Sequence, residues 1–499
     1  MAVSSRFAAV AWRGVEYSPD AFGDLVARAA GGLARLGLSA GDRVALVVRN
    51  CVEGLVADQA VRRIGAYPVA VNWHGAQDEI LFVLGDAKVR LALAHQDLWP
   101  SGADVPFISI PLTEGETGPD GQLASWAELL AGPRYEGPRG SAETIIYTSG
   151  TTGRPKGVRK LSATAGQRAR ARAMRDLLYG IRDGARVLVV APLYHAAPLQ
   201  MAQHTIERGE LLVLHERFDA QRFLAAVEEH SITHTFLVPT MFARVLGLPA
   251  AVRNAHDVSS LEFVLHAGAP CPPALKHRVI EEWGAIVHEY YGSTELGPVS
   301  FATPEDWTAH PGTVGRPLPG VEVAFLDPES GLPGGAQPAE LAVSTTAFGD
   351  FTYEGLPERR AELQAGDFVS TGDVGYLEDG YLYLSDRIRD LIISGGVNIY
   401  PAEVEAVIQE LPGVADCAVF GVTDDDLGEV VAALVEPVAV APVDPAELER
   451  HLSARLGRLK RPRVIEFCDS LPREPNGKVR KRLLRAEFEE RMKQQVQDD

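Results

Sequence analysis

Residues 147–158 read Tyr-Thr-Ser-Gly-Thr-Thr-Gly-Arg-Pro-Lys-Gly-Val, a stretch that gathers the groups able to hold phosphate. The apolar run Ile145, Ile146, Tyr147 before it has the character of a buried strand. Within the next ten residues come four hydroxyls (Thr148, Ser149, Thr151, Thr152), three glycines (Gly150, Gly153, Gly157) and Lys156. The glycines let the backbone turn sharply and present N–H groups to an anion, the hydroxyls add donors, and the lysine adds a mobile positive charge. An ordinary turn needs one or two such residues, so this density favours anion binding. The stretch is not a Walker loop: Pro155 stands where that motif has its second glycine, and Gly157 follows the lysine. A kinase or GTPase reading weakens accordingly.

Other segments carry chemistry of the same kind. Tyr290-Tyr291-Gly292-Ser293-Thr294-Glu295 joins an aromatic face that can stack on a base to hard oxygens that suit phosphate and magnesium. A strand end followed by a helix cap explains these residues equally well in isolation. Asp373, in Ser370-Thr371-Gly372-Asp373, is a bidentate acceptor suited to a pair of hydroxyls, although Asp beside Gly is also ordinary turn chemistry. Lys478 follows Asn476-Gly477, a tight-turn pair that displays an ammonium at a loop tip. It lies in a run, 455–485, with eleven Lys or Arg against three acids, which by itself reads as a solvated or polyanion-binding surface.

Taken in order, these segments resemble the adenylate-forming superfamily: acyl-CoA synthetases, aryl-CoA ligases, luciferases and the adenylation domains of peptide synthetases. The overall pattern, Asn72-Trp73-His74 included, is closest to bacterial acyl-CoA synthetases. The resemblance spans the whole chain and implies ATP, Mg²⁺ and CoA as cofactors and a small carboxylic acid as substrate. It implies that Thr148, Ser149, Gly150, Thr151, Thr152 and Gly153 form the phosphate loop, with Lys156 beside it. Gly268, Ala269 and Pro270 would approach the adenine, Tyr291 would stack on it, and Gly292 and Ser293 would belong to the same nucleotide segment. Thr294 would contact the α-phosphate, Glu295 with Thr148 would ligate Mg²⁺, Asp373 would accept from both ribose hydroxyls, and Arg387 would reach ribose and phosphate. Lys478 would be the catalytic lysine, bridging carboxylate and α-phosphate. Arg389 falls at the hinge, where the family usually has Asp or Lys, and Gly395 and Gly396 fall where the pantetheine tunnel passes. His195, His266, Pro298 and Val299 match positions around the acyl pocket; the absence of a basic residue there suggests an apolar acid that is fatty, aryl or bulky and alicyclic. The implied reaction is attack of the carboxylate on the α-phosphate, giving an acyl adenylate and pyrophosphate, then transfer to CoA. Two alternatives remain: an enzyme that passes its adenylate to a partner acyl acceptor, and a stand-alone peptide-synthetase adenylation domain. The latter lacks a clear acidic residue for an α-amine, since Asp219 reads as the N-cap of the 220–229 helix.

These residues require an α/β scaffold. Phe22 to Leu36 has helical periodicity, Arg43 to Val48 reads as a buried strand, and further strands are expected at 186–190, 233–238, 261–265 and 285–291. Ligands of open α/β sheets collect at the strand ends, where these polar segments fall. Residues 113–140 read as a surface excursion. Tyr381 to Ser385 reads as a strand entered through an Asp379-Gly380 turn, Leu391 to Ser394 as another, and Pro401 opens a helix. The expected architecture is a large multi-layer α/β domain over 1–388 and a small mobile α+β domain over 389–499, with the site between them.

A chain of 499 residues is long enough for two such domains, and at 46% hydrophobic and 23% charged it is an ordinary globular composition. A net charge of -19 argues against a nucleic-acid or anionic-membrane partner. No stretch has the length and apolarity of a membrane span, and Cys51, Cys271, Cys417 and Cys468 are isolated, so a reducing cytoplasm is expected. Homo-oligomerisation is left open.

Overall fold

In the computed structural model the described residues are 7–111, 123–140, 142–148, 154–344, 348–424, 426–438, 442–473 and 479–498, the side chains of 482 and 492–498 excepted. Two large sheets are built from strands between residues 9 and 353. One runs, edge to edge, through Phe351–Tyr353, Lys156–Lys160, Ile145–Thr148, Tyr67–Ala70, Arg43–Val47, Leu91–His95, Phe107–Ile110 and Ala124–Ser125. The other runs through Arg316–Pro317, Gly297–Ala302, Val287–Ser293, Phe263–His266, His234–Leu237, Arg186–Val189, Leu211–Leu214, Ala9–Trp12 and Val15–Tyr17. Their central strands are parallel. Parallel strands are covered on both faces and therefore read as continuous apolar runs, as Leu91–His95 and Leu211–Leu214 do, buried at every position.

A helical layer joins the two sheets. The helix Pro19–Arg35 starts where Ser18 accepts from the Ala21 amide at 3.2 Å, and it buries Phe22, Val26, Ala29, Ala30 and Leu33. These side chains share one core with Val44, Leu46 and Leu93 of the first sheet and Val187, Leu188 and Leu212 of the second. A third, antiparallel sheet holds Val323–Leu326, Ala339–Val343, Gln364–Ala365, Phe368–Glu378 and Tyr381–Arg387. Its last hairpin turns at Asp379 (φ 52°) and Gly380 (φ 81°), the paired left-handed residues expected of that turn. The 3₁₀ turn Ile388–Asp390 then leads to a fourth sheet of Ile392–Ser394, Val397–Ile399, Val414–Asp424, Gly428–Pro437 and Val464–Phe467, packed with the helices Pro401–Ile408 and Pro445–Arg455 on its own core.

Two local expectations need correction. Gly157 is not part of a phosphate-presenting turn: it lies in the Lys156–Lys160 strand opposite Tyr147, where a Cβ would sit 2.6 Å from the tyrosine ring. Nor does a helix follow the Tyr-Gly-Ser-Thr-Glu segment. The strand Val287–Ser293 turns back through Thr294, Glu295 and Leu296 into Gly297–Ala302, with Gly297 at φ 79°. Asp219, by contrast, is an N-cap, accepting from the Arg222 amide at 2.8 Å.

Candidate active site

The site residues come from the carboxyl ends of parallel strands in both large sheets, the place where open α/β sheets take ligands. Ile145–Thr148 ends at Thr148, and the Lys156–Lys160 strand returns beside it. The hairpin is anchored from behind: Tyr147 Oη donates to Asp86 at 2.7 Å, and the buried Glu354 carboxylate receives both Arg43, at 3.0 Å, and Arg159. The second sheet contributes Glu295 at the tip of its hairpin, and Glu295 Oε1 accepts from Thr148 Oγ1 at 3.5 Å and from Tyr353 Oη at 3.2 Å. Lys160 Nζ donates to the Glu295 carbonyl at 2.6 Å, tying the turn to the hairpin. Burial lowers the pKa of this lysine, while burial and then the Glu295 charge raise that of the Tyr353 phenol. Lys156 Nζ lies 5.5 Å from the Tyr353 ring centroid, a cation–π contact.

A second group forms where the third sheet meets the second. Tyr291 Oη donates to Asp373 Oδ2 at 2.6 Å, and Arg387 Nε lies 3.2 Å from Asp373 Oδ1. Asp373 and Arg387 are register partners across their hairpin, so the antiparallel pairing itself brings carboxylate and guanidinium together. Burial, and then the neighbouring Asp373, push the Tyr291 phenol far above its ordinary pKa, which keeps it a neutral donor.

The other expected residues are placed as follows. Ser149, Gly150, Thr151, Thr152, Gly153 and Lys478 lie outside the described residues. Thr294 is half-buried in the hairpin turn and Ser293 is exposed, with its Oγ accepting from the Leu296 amide. Gly292 faces Gly297 and Pro298 so closely that a Cβ would meet the Gly297 carbonyl at 2.3 Å; its missing side chain serves the hairpin. Gly268, at φ 88°, opens the exposed loop that holds Ala269 and Pro270. Pro298 and Val299 are buried, Val299 against Val158 and Leu296. His195 is the N-cap residue of Ala196–Arg208, its ring 4.4 Å from that of Tyr194; Tyr194 Oη in turn meets His74 Nδ1 at 2.9 Å. His266 is fully buried, its Nε2 3.4 Å from Glu289 and its ring edge-on to Phe242. Gly395 and Gly396 form the exposed turn of the Ile392–Ser394 and Val397–Ile399 hairpin, at φ 55° and 78°. Arg389 sits in the 3₁₀ turn with its Nε 3.9 Å from Asp390.

Sequence reading missed Tyr353 and Lys160. Lys160 stands four residues after Lys156 and its charge was visible; that it reaches the carbonyl of Glu295 depends on two sheets meeting.

The geometry is a hydroxyl, a carboxylate and two lysines from the two large sheets, and a second group in which a phenol of the second sheet meets a carboxylate and a guanidinium of the third. Comparison with known proteins decides what it belongs to. The family model of the AMP-binding enzymes matches residues 2–348, and that of the AMP-binding enzyme C-terminal domain matches 403–478. The chain belongs to the AMP-binding enzyme family. It is 34% identical to a feruloyl-CoA synthase of Amycolatopsis over 93% of this chain and 92% of that protein. Among solved structures, the amide bond synthetase McbA of Marinactinospora thermotolerans superposes with a TM-score of 0.84 at 30% identity, covering 97% of each chain. The o-succinylbenzoate CoA synthetase MenE of Bacillus subtilis, solved with ATP and a magnesium ion, gives 0.79 at 28% identity over 96% of each chain. The expected adenylate-forming family and the mixed α/β fold with a large N-terminal and a smaller C-terminal domain are borne out. AMP-binding enzymes of this kind are acyl- and aryl-CoA ligases and their adenylate-forming relatives. No helix among the described residues is long and apolar enough to cross a membrane.

Proposed function

We propose that this enzyme uses ATP to convert an apolar carboxylic acid (fatty, aryl or bulky alicyclic) into its acyl adenylate with release of pyrophosphate, and then transfers the acyl group to CoA. The observation that carries the reading is that four distant segments bring Thr148, Lys156 and Glu295 into one group and Tyr291, Asp373 and Arg387 into another, with Glu295 and Tyr291 joining the two through a single hairpin. In this reading Asp373 accepts from the ribose, with Arg387 beside it, and the Tyr291 ring packs on the base. Carboxylate and triphosphate repel one another, so Lys156 and Lys478 supply the cationic surroundings that the developing charge needs. The donor set fits Mg²⁺: Glu295 and Thr148 offer a small number of neighbouring hard oxygens, which suits an ion that keeps water and phosphate oxygens as its other ligands. When bound it adds positive charge against the phosphates. Among the described residues no cluster of three or more His, Cys, Asp or Glu would hold a metal by itself.

In this reading the acyl group lies toward Pro298, Val299 and His195, and the absence of a lysine or arginine at those positions favours an apolar acid. We assign residues 1–388 to the nucleotide- and acyl-binding domain and 389–499 to the domain that delivers Lys478, with Arg389 as the pivot between two half-reactions. Similarity to an amide bond synthetase supports a second reading, in which the adenylate goes to an acceptor other than CoA. Incubation with a panel of carboxylic acids, ATP and CoA, followed by pyrophosphate assay and mass spectrometry, separates these. Pyrophosphate with a thioester is the expected result. Accumulated adenylate without thioester, where a control ligase makes thioester, moves the enzyme to the second reading; no pyrophosphate with any acid rejects both.

A further inference from the structure

His266 and Glu289 are register partners, the last paired rung of the parallel strands Phe263–His266 and Val287–Ser293. Past it the two chains part. One becomes the loop 267–272 and enters the helix Pro273–Trp283; the other continues through Tyr290 and Tyr291, where the strand bulges, to Glu295. The rungs before it are apolar or aromatic, whereas this one is ionic and fully enclosed. Lys276, one turn into the helix, donates from Nζ to Glu289 Oε2 at 2.5 Å, and His266 Nε2 lies 3.4 Å from the same oxygen. Lys276 and His266 are 0% exposed and Glu289 is 6% exposed. The ammonium also lies 4.8 Å from the ring centroid of the buried Trp307. Burial opposes ionisation of Glu289, but the facing His266 and Lys276 outweigh it and hold the carboxyl well below the usual range.

A buried ion pair adds little to stability over apolar residues of the same size, because desolvation cancels most of the attraction. Its geometry is more informative. Glu289 holds the residue where the 267–272 loop begins and a residue four positions past where it ends, so one carboxylate closes the loop against the strand that carries Tyr291. We propose that Lys276, Glu289 and His266 form a positioning clasp that fixes the Ala267–Pro270 backbone and the Tyr291 ring in the arrangement that receives the nucleotide. None of the three touches the nucleotide in this account; they act through the loop and the ring. The inference rests on the nucleotide reading of this site.

The test replaces the pair with apolar residues, Lys276→Met with Glu289→Leu, which avoids leaving one buried charge alone. ATP binding is measured by calorimetry, the melting temperature by scanning calorimetry, and kcat and KM for ATP by pyrophosphate release. A folded double variant that melts close to wild type, binds ATP about tenfold more weakly and shows the loss in KM rather than kcat supports the clasp. The same variant with unchanged ATP affinity overturns it. Should it fail to fold, His266→Leu, which leaves the Lys276–Glu289 pair intact, decides: weaker ATP binding at an unchanged melting temperature supports the clasp, and unchanged affinity overturns it. A wild-type enzyme that binds no ATP rejects the nucleotide reading and the clasp with it, so the two failures are distinguishable.

Discussion

Asp373 holds a phenol on one oxygen and a guanidinium on the other, in a hairpin that keeps its side chain largely out of water. Asp373→Ala is expected to weaken ATP binding by about 1.5–3 kcal/mol, the worth of hydrogen bonds to a charged acceptor, or roughly tenfold to a hundredfold in Kd. Calorimetric titration of the folded variant checks this, and wild-type affinity would make Asp373 a turn residue. Lys478 makes a sharper division between steps. Lys478→Ala is expected to suppress adenylate formation while sparing transfer from a supplied acyl adenylate to CoA, because in the proposed reading its charge serves the first step. Rapid-quench assays of each half-reaction measure the split, and equal losses in both would remove the assignment. Asp373, Glu295 and Lys156 were legible in the sequence because each sits in a short segment whose composition is odd for a plain turn. Tyr353 was not: a lone tyrosine in the Phe351–Tyr353 strand becomes a partner of Glu295 only when that strand pairs with Lys156–Lys160.

On the second large sheet a ladder of rings crosses four neighbouring strands. His234 stacks on Phe263, Phe263 on His288 at 3.8 Å, and His288 on Phe301. Burial holds His288 down at about 4 from the ordinary 6.5, and lowers His234 as well. The folded ladder therefore prefers neutral rings, whereas the unfolded chain takes up protons below 6.5. Stability from His288 is complete above that pH and is lost as pH falls from 6.5 toward 4, up to about 3 kcal/mol for a shift of this size. Urea midpoints collected across this window are expected to fall with pH, and to fall less steeply in His288→Phe. Identical slopes in the two proteins would show that other groups govern the acid limb. Three of the four strands that carry the ladder were readable from their apolar runs to within two residues at each end, whereas Gly297–Ala302 was not expected. Their order was not, because pairing among parallel strands depends on crossover helices and not on any one strand's pattern.

At the scale of the whole molecule, Asp386 links the third sheet to the C-terminal region. Its carboxylate accepts from the Ala402 amide at 2.8 Å, in the first turn of Pro401–Ile408, and Lys481, whose field reaches it, pairs with Glu405 at 2.8 Å. Residues 386 and 402 lie on opposite sides of Arg389. If Arg389 is the pivot proposed above, a rotation large enough to part the two domains breaks this bond, so the bond favours the arrangement seen here, by about 1 kcal/mol if it acts as other helix caps do. Asp386→Ala is therefore expected to change the ratio of the adenylation rate to the acyl-transfer rate, measured separately in single turnovers. An unchanged ratio would count against a role in domain placement.

The sequence by itself determined the family and the chemistry available. The Gly/Thr/Lys composition of 147–158, the Tyr-Gly-Ser-Thr-Glu segment and the Asn-Gly-Lys sequence are local, and local patterns survive without knowledge of the fold. It also marked where the apolar strands, the capped helix Ala220–His230 and the helix opened by Pro401 would form, since periodicity and N-terminal signals lie within a few neighbouring residues. Only the tertiary structure decided which residues meet. Glu295 joins Thr148 across 147 positions, Asp373 joins Tyr291 across 82, and Lys276 and His266 close on one carboxylate inside the core. Those encounters are set by sheet register, loop closure and burial, which are properties of the packed chain as a whole and leave no spacing signal along it.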